Sequence, residues 1–211
     1  MKRSTFIHSS VLAGLSMAAA PMSFASSQTK KAKAFNLTYA PHEGMFASHG
    51  GKSFLDQIQY MHSQGFNAIE DNGMLLRPVA EQEQIGNLLK KLNMQMGVFV
   101  VDAGDNWKVS LASGKNEFKD RFADACRRSV ETAKRVNAKW ATVVPGFFDR
   151  SLPLDIQTSN VIDALRIGAE IFEPHGLVMV LEPLSDTPEL YMRYSHQTYM
   201  LCKAVNSPSC K

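Results

Sequence analysis

The chain has 211 residues, of which 45% are hydrophobic and 20% charged, ordinary values for a globular protein with one core of its own. The formal net charge is only +3, and much of it comes from Lys30, Lys31 and Lys33. Because no basic face with interleaved aromatic residues follows, the composition argues against nucleic-acid binding.

The first 25 residues predict a secretory signal peptide. Lys2 and Arg3 form a positively charged start, an apolar stretch follows over residues 11–20, and small residues at 23 and 25 offer a cleavage site. The apolar stretch is too short for a stable membrane span. The start is also similar to a twin-arginine export signal with one arginine replaced by lysine, and a disordered apolar leader is the alternative. We expect an exported, periplasmic protein with a polar spacer over 26–33 and its folded domain over 34–211.

From residue 34 onwards, short apolar runs alternate with longer segments of helical spacing. The apolar runs predict buried strands at residues 34–40, 66–70, 94–101, 140–144 and 177–184. Helices are predicted between the strands from apolar faces, with a fifth helix at about 195–205. These faces comprise Phe54, Leu55, Ile58 and Met61; Ile85, Leu88, Leu89 and Leu92; Phe118, Phe122, Cys126, Val130 and Ala133; and Val161, Ile162, Leu165, Ala169 and Phe172.

The strands are continuous apolar runs, which is typical of a parallel sheet covered by helices on its faces. Both a doubly wound open sheet and a (β/α)8 TIM barrel fit this alternation. No Gly-x-Gly-x-x-Gly phosphate loop occurs, so the dinucleotide-binding form loses its best support. We therefore predict an α/β fold, a partial TIM barrel of about five βα units. A TIM barrel typically needs about 250 residues, and residues 206–211 look like the loop that enters a sixth strand, so we expect a truncated barrel with the apolar edge of strand five exposed.

Polar residues gather after several strands, and Glu182 is the most informative of them. It is a lone carboxylate at the end of the apolar run 177–184, where an ionised group is costly unless it is paired, protonated or bound to a metal. Such a carboxylate could act as acid/base next to a carbonyl. The alternative is a structural ion pair with a lysine or arginine.

Weaker candidates lie after the other strands. His42 follows the first strand and could reach the same barrel mouth, although it could equally be an ordinary loop residue. Glu70 and Asp71 end the second strand, where a pair of carboxylates usually belongs to a solvated loop or a helix N-terminus, and residues 71–73 look like a turn. Trp107 lies in the loop after the third strand, either as a lid over the site or as a cover of the rim.

The three cysteines, Cys126, Cys202 and Cys210, indicate neither a disulfide framework nor a zinc site. Cys126 and Cys202 fall inside helical patterns, where cysteine usually serves as a small apolar filler.

Four segments together resemble a known family. Residues 66–70, the loop 103–114, the Pro-His-Gly at 174–176 and residues 180–184 are similar to the hydroxypyruvate isomerase group of the xylose isomerase-like TIM barrels. That superfamily also contains ketose 3-epimerases and inosose dehydratases. The resemblance extends from about residue 35 to the last residue.

The resemblance implies the chemistry of particular residues. Glu182 matches the family glutamate that ligates a divalent cation such as Mg or Mn and serves as one of two acid/base glutamates. His42 and Trp107 fall where family members place substrate-binding side chains. The other family ligands, which come from strands six to eight, are absent from this sequence, so the implied metal site is incomplete and the chain by itself is expected to have little activity.

These inferences predict a metal-dependent isomerase or epimerase that acts on a small sugar or hydroxy-carbonyl compound by enediolate proton transfer. A lyase or dehydratase on the same barrel is the first alternative, and a non-catalytic carbohydrate-binding protein is the second. The expected partner is a small sugar or hydroxy-acid, with no nucleic acid and no stable membrane span. A homo-oligomer is compatible with the sequence.

Overall fold

The computed structural model describes residues 32–33 and 35–211. The predicted signal peptide, and all of the predicted spacer except residues 32 and 33, lie outside the described residues. Among the described residues, no helix is both long enough and apolar enough to cross a membrane.

Six α-helices and four short strands alternate through the described residues. The helices are α1 (Ala47–Gly50), α2 (Phe54–Ser63), α3 (Val79–Leu92), α4 (Asn116–Val136), α5 (Leu154–Phe172) and α6 (Ser195–Val205). The strands are β1 (Ala68–Ile69), β2 (Gln95–Met96), β3 (Trp140–Val143) and β4 (Val178–Leu181). Each strand falls inside a predicted segment, and each helix except the short α1 contains or coincides with a predicted helical segment. Helices α3 and α5 begin well before the first apolar residue of their predicted faces, which are Ile85 and Val161. The apolar spacing thus located five strand–helix units, of which the last four have a strand in the structure.

The strands pair in parallel and in the order of the sequence. Strand β1 pairs with β2, and β3 pairs with β4 over four residues from Trp140↔Val178 to Val143↔Leu181. A parallel bridge between Val100 and Thr142 joins the two pairs. A doubly wound sheet would reverse its strand order at a switch point, whereas a barrel keeps the sequence order. The described strands therefore form an arc of a barrel, which decides between the two predicted architectures.

The core lies between this arc and the helices. Helices α2, α3, α4 and α5 each bury one apolar stripe, represented by Ile58, Ile85, Val130 and Leu165, all between 0% and 4% exposed. Burial of each such side chain contributes about 1.5–3 kcal/mol, so these stripes hold the helices against the strands.

Helices α3 and α4 approach each other closely at Gly86. A Cβ atom added there would lie 2.0 Å from the carbonyl oxygen of Arg135. Only glycine fits at this crossing, where the backbone of α4 occupies the space that a side chain would need.

The first predicted strand is absent in its expected place. Residues 35–40 form no strand, Leu37 and Tyr39 are exposed, and the only parallel bridge of this segment joins His42 to Glu70. Pro41 accepts a hydrogen bond from the Glu70 amide through its carbonyl (3.1 Å), but it has no N–H to donate. The ladder is therefore reduced to a single bridge at this edge.

The expectation that the edge of the fifth predicted strand is exposed is wrong for β4. Residues 209–211 lie alongside β4, with hydrogen bonds from the Met179 amide to Ser209 O (2.8 Å), from Lys211 to Met179 O (2.9 Å) and from Leu181 to Lys211 O (2.8 Å). Cys210 forms a parallel bridge with Met179. The residues expected to form a connecting loop thus supply a sixth extended segment that satisfies the edge of β4.

Candidate active site

Because the strands are parallel and adjacent, the residues that follow them meet at one edge of the arc. His42 and Glu70 follow the first two segments, and Glu182 directly follows β4. The Glu182 amide still donates to the carbonyl oxygen of Val143 (3.3 Å), so the strand ladder fixes the backbone from which its side chain projects. This edge corresponds to the carboxyl-terminal mouth, where TIM barrels carry their functional residues.

Glu182 has no ion-pair or hydrogen-bond partner for its carboxylate among residues 35–211. Its side chain is open to solvent, yet partial burial raises the pKa of the carboxyl group, and the negative charges of Glu70 and Asp186 raise the pKa further. The nearby His42 acts in the opposite direction and lowers the pKa. The alternative predicted from sequence, a structural ion pair with lysine or arginine, is therefore absent from the described residues.

Glu70 and His42 form a neighbouring pair. The distance between His42 Nε2 and Glu70 Oε1 is 3.5 Å, and the two side chains are 36% and 29% exposed. The bridge between the two backbones holds the side chains in register. This pair places a carboxylate and an imidazole beside Glu182, so Glu70 belongs to the site, although its sequence position alone indicated a solvated loop.

A cavity of about 450 Å³ lies at the mouth. Glu182, Asp102 and Asn72 contribute polar atoms to its wall, and Trp107 contributes a large aromatic surface. Trp107 is 61% exposed, so its ring is available for contact. The volume falls in the range of small-molecule sites, about 300–1,000 Å³. Glu182 and Trp107 thus share one cavity, whereas His42 does not line it and lies on the flank near Glu182.

The loop that carries Trp107 is fixed to the next loop of the barrel. The Phe147 amide donates to Lys108 O (2.8 Å), and Gly146, at φ +88°, lies where a Cβ would be 2.1 Å from Ser110 Oγ. Asp105 is buried at ion-pair distance from Lys108 (2.7 Å) and from Arg121 (3.0 Å), although neither contact has the alignment of a hydrogen bond. Asp105 therefore helps to stabilise the loop, whereas Asp102 lines the cavity.

Arg77 joins three carboxylates that the sequence left unconnected. Its guanidinium contacts Asp71 (Nε to Oδ2, 2.6 Å), Glu43 (Nη2 to Oε2, 2.5 Å) and Glu81 (Nη1 to Oε1, 2.5 Å). These contacts raise the pKa of Arg77 despite the opposing effect of burial. Asp71 also accepts a hydrogen bond from the Gly73 amide (3.1 Å), which confirms the turn predicted at 71–73. The expectation of a solvated loop is wrong for Asp71, which is 5% exposed because Arg77 pairs with it.

Asp186 and Arg77 were missed as contributors to this region, and Glu70 was named only as a weak candidate. Asp186 follows Glu182 by four residues in a short loop, a spacing that could have indicated a shared site. The partners of Glu70 and Arg77 come from other barrel units, and no local pattern signals such contacts.

A divalent metal site needs several donor side chains that converge on one point. Within residues 35–211, no group of three or more His, Cys, Asp or Glu side chains is arranged to hold a metal ion. Divalent Mg or Mn ions require several oxygen ligands, and Glu182 alone supplies too few. The donor set of the described residues therefore does not fit such an ion.

A second concavity, of about 390 Å³, is lined by residues of α3, of α4 and of the segment that precedes α3. Several arginines surround it, but most are engaged. Arg77 binds its three carboxylates, Arg127 pairs with Asp124, and Arg135 donates to Gln82 Oε1 (3.1 Å). This groove is therefore a weaker candidate than the mouth, where Glu182 has no partner.

Comparison with known proteins agrees with the architecture. The sequence pattern of the xylose isomerase-like TIM barrel family matches residues 58–211. No curated protein matches the sequence. A crystal structure of AP endonuclease, family 2, from Brucella melitensis is 20% identical with a TM-score of 0.66, covering 82% of this chain and 66% of that chain.

Two other solved structures show the same likeness. The 3-keto-D-glucoside 4-epimerase from E. coli is 17% identical with a TM-score of 0.63, covering 79% of this chain and 64% of that chain. The IolI protein, in a structure with a bound zinc atom, is 14% identical with a TM-score of 0.63. The match covers 81% of this chain and 60% of that chain. At sequence identities of 20% or less, this structural similarity shows the fold alone. The chain spans about two thirds or less of the length of these three structures.

Proposed function

We propose that this chain, which belongs to the xylose isomerase-like TIM barrel family, acts as an isomerase or epimerase on a small sugar or hydroxy-carbonyl compound, with Glu182 as its acid/base. The observation that carries the proposal is the position of Glu182, on the wall of the mouth cavity, with no cationic partner among the described residues and a raised pKa. A structural carboxylate would be expected to have a partner. An acid/base needs to remain free to exchange a proton.

The chemistry follows from the state of this carboxylate. A raised pKa makes Glu182 a stronger base than an ordinary glutamate and brings its pKa closer to neutral pH. In its ionised form, Glu182 would remove the proton from a carbon next to a carbonyl. The C–H electron pair becomes the C=C bond of an enediolate, and the carbonyl electrons move to oxygen. Return of the proton to the former carbonyl carbon, with transfer of the adjacent hydroxyl proton to the former carbonyl oxygen, completes an isomerisation. Return of a proton to the opposite face of the original carbon restores the carbonyl and completes an epimerisation.

The other predicted site residues would bind the substrate. The exposed indole of Trp107, in the same cavity as Glu182, offers an apolar face on which a sugar ring can stack. The His42–Glu70 pair, on the flank, could hydrogen-bond a hydroxyl of a substrate that extends beyond the cavity. These roles remain proposals that rest on position.

Metal dependence also remains a proposal. One matched structure contains a zinc atom, and the family resemblance makes Glu182 a ligand of a divalent ion such as Mg or Mn. Because the described residues do not form a site for such an ion, we assign the proton steps only to the groups of this chain. Metal analysis of the purified protein and of Glu182→Gln tests the ligation. Equal metal content in the two proteins would remove Glu182 from that role.

Three finer predictions rest on the sequence. The hydroxypyruvate isomerase-like assignment comes from the motif resemblance and would make the substrate a compound of very few carbons. Periplasmic localisation comes from the signal peptide predicted at residues 1–25, and fractionation of expressing cells tests it. Low activity of the 211-residue chain is predicted because no second glutamate accompanies Glu182 among the described residues that line the mouth cavity, and the proposed chemistry needs a second acid/base.

The test of the proposed function is incorporation of solvent deuterium. Purified protein is incubated in D2O with hydroxypyruvate, a ketohexose or a 3-keto-glucoside, and the substrate is analysed by mass spectrometry and NMR. We expect slow exchange at the carbon next to the carbonyl, above that of a protein-free blank. Glu182→Gln should abolish the exchange. Glu189→Gln, which changes an exposed glutamate outside the cavity, should retain it.

The outcomes separate the alternatives. Equal exchange in wild type and Glu182→Gln would contradict the proposal, as would no exchange with any compound. Sugar binding without exchange would favour a non-catalytic carbohydrate-binding protein. Loss of water with formation of an unsaturated product would favour the lyase or dehydratase.

A further inference from the structure

The second concavity, of about 390 Å³, has two arginines on its wall whose charges are not neutralised. Within residues 35–211, neither Arg128 nor Arg135 forms an ion pair with a carboxylate. Arg128 donates to the carbonyl oxygen of Asp102 (3.2 Å), and Arg135 donates to Gln82 Oε1 (3.1 Å). Because both acceptors are neutral, each guanidinium keeps its positive charge and most of its five N–H donors.

The two arginines lie on one face of α4, with a buried hydroxyl between them. Seven positions separate Arg128 from Arg135, which is nearly two helical turns and about 10 Å along the helix axis. Thr132 lies between them, lines the same concavity and is 2% exposed. Its hydroxyl has no hydrogen-bond partner among the residues that the structure describes. A buried hydroxyl without a partner is destabilising, so Thr132 offers a donor that a bound ligand would satisfy.

Gln82 fixes the direction of the Arg135 guanidinium. Gln82 belongs to α3 and is 3% exposed, and its Nε2 donates to the carbonyl oxygens of Met74 (3.1 Å) and Arg77 (3.0 Å). These two bonds orient the side-chain amide so that Oε1 accepts from Arg135. The guanidinium is therefore held in place before a ligand arrives, which reduces the entropy that binding would lose.

The remaining charged side chains of the wall already have ion-pair partners. These pairs are Arg77 with Asp71, Glu43 and Glu81, Arg127 with Asp124, and Glu131 with Lys134. The three carboxylates that bind Arg77 are not among the residues that line the concavity, and Glu131 is the one acidic residue that does so in the described part of the chain. The charge that remains unpaired on the wall is therefore that of two guanidinium groups.

We propose that Arg128, Thr132 and Arg135 bind the phosphate group of a small organic phosphate. A phosphate monoester carries close to two negative charges at pH 7, and its oxygens accept hydrogen bonds from guanidinium forks and from a hydroxyl. Leu75 and the half-exposed Val79 form an apolar part of the same wall, on which the organic part of the ligand would pack. This concavity shares no lining residue with the mouth cavity, so the proposal does not depend on the proposed function.

The test is calorimetric titration of the purified native chain, in a buffer free of phosphate and at constant ionic strength, with three probes. Phenyl phosphate should bind with a Kd on the order of 1 mM. Inorganic phosphate lacks the apolar part, and benzoate is a monoanion with the same ring, so each should bind at least roughly threefold more weakly. Affinity for either of these probes equal to that for phenyl phosphate would overturn the proposal.

Variants identify the residues that bind the probe. Arg128→Gln and Arg135→Gln should each weaken the binding of phenyl phosphate roughly tenfold, and Thr132→Val, which keeps the shape of the side chain, roughly threefold. Arg166→Gln is the matched control, because Arg166 is also an exposed helical arginine that donates to a backbone carbonyl, that of Ala204 (3.1 Å), but lies in α5 outside the concavity. This variant should keep the wild-type affinity within about twofold.

A second measurement uses the wild type alone and stands even if a variant fails to fold. Phenylglyoxal modifies accessible arginines, and peptide mapping by mass spectrometry gives the rate at each position. Phenyl phosphate at about ten times its Kd should slow the modification of Arg128 and Arg135 severalfold and leave that of Arg166 unchanged. Equal protection of Arg166 and Arg128, equal loss of affinity in their glutamine variants, or neither heat nor protection would each overturn the proposal.

Discussion

Glu70 lies 3.5 Å from His42, measured from Oε1 to Nε2, and its negative charge raises the pKa of Glu182. A single carboxylate therefore connects three barrel units. It pairs with the imidazole of the first segment and, at the same time, disfavours ionisation of the glutamate that follows β4. Burial is the largest cause of the raised pKa of Glu182, and residues far from it in sequence, Glu70 and His42, modify it further.

The first prediction concerns the pKa of Glu182. Glu70→Gln should lower this pKa because one repelling negative charge is removed, although the raising effect of partial burial remains. His42→Gln should raise it because the imidazole favours the ionised form. NMR titration of 13C-labelled glutamate carboxyl groups measures both shifts. Shifts of the same sign in the two variants would contradict the geometry of the cluster.

The second prediction concerns stability against pH. Since the folded-state pKa of Glu182 is raised, its contribution to stability is fully present below the unfolded-state pKa, about 4.3, and is lost as pH rises through the folded-state value. Glu182→Gln should therefore gain in melting temperature relative to wild type as pH rises from about 4 and level off above the folded pKa. Calorimetry across this range measures the difference, with Glu189→Gln as the control for loss of one surface charge. A difference that shrinks with rising pH would contradict the raised pKa.

The sequence predicted most of the elements because their apolar spacing is local. Helix α6 at Ser195–Val205 coincides with the predicted fifth helix, and β4 falls inside the predicted run 177–184. The first strand was placed wrongly because its apolar pattern resembles that of a strand, while Pro41 lacks the N–H that a longer ladder needs. Glu182 could be singled out because it is a carboxylate in an apolar run.

The contacts between units could not be predicted in the same way. Arg77 and Glu43 are 34 positions apart, and their contact depends on how two loops meet at the barrel mouth. The pairing of Glu70 with His42 depends likewise on strand register. A single sequence carries no signal for register between distant segments.

The third prediction tests the Arg77 cluster. The Arg77 and Asp71 side chains are only 14% and 6% exposed, so Arg77→Met leaves a buried carboxylate without its partner and should destabilise the protein by about 3 kcal/mol. The double variant Arg77→Met/Asp71→Asn should lose less stability than Arg77→Met, because the unpaired charge of Asp71 is also removed. Arg127→Met, which breaks an exposed pair with Asp124, should cost about 0.5 kcal/mol or less. Urea denaturation measures all three. Equal losses in the two single variants would contradict a special role for Arg77.

The fourth prediction tests the crossing of α3 and α4. Gly86→Ala should destabilise the protein by about 3 kcal/mol because the new Cβ would lie 2.0 Å from Arg135 O, and backbone must move to admit it. Gly73→Ala is a matched control, since its Cβ would meet only Asp71 Oδ1, at 3.5 Å. The measurement is the urea midpoint of each variant. A loss of stability in Gly86→Ala no larger than that in Gly73→Ala would show that α3 and α4 can move apart at little cost in free energy.

The last prediction uses the two tryptophans, which lie at opposite ends of the barrel. Trp107 lines the mouth cavity, whereas Trp140 begins β3 at the far end of the strands. In Trp140→Phe, the fluorescence arises from Trp107 alone, and it should change when a bound keto-sugar excludes water from the indole. In Trp107→Phe, the remaining signal from Trp140 should not change.

The affinity test of Trp107 separates binding from folding. Because the indole is 61% exposed, Trp107→Ala should leave the melting temperature within about 2 °C of wild type. The loss of a stacking surface should raise the Kd for the sugar about threefold to tenfold, as measured by calorimetric titration. Unchanged affinity in a variant that is folded normally would show that the sugar does not contact Trp107. In that case the cavity wall around Glu182 would bind the substrate through its polar residues, and the loop after β2 would serve only to cover the rim.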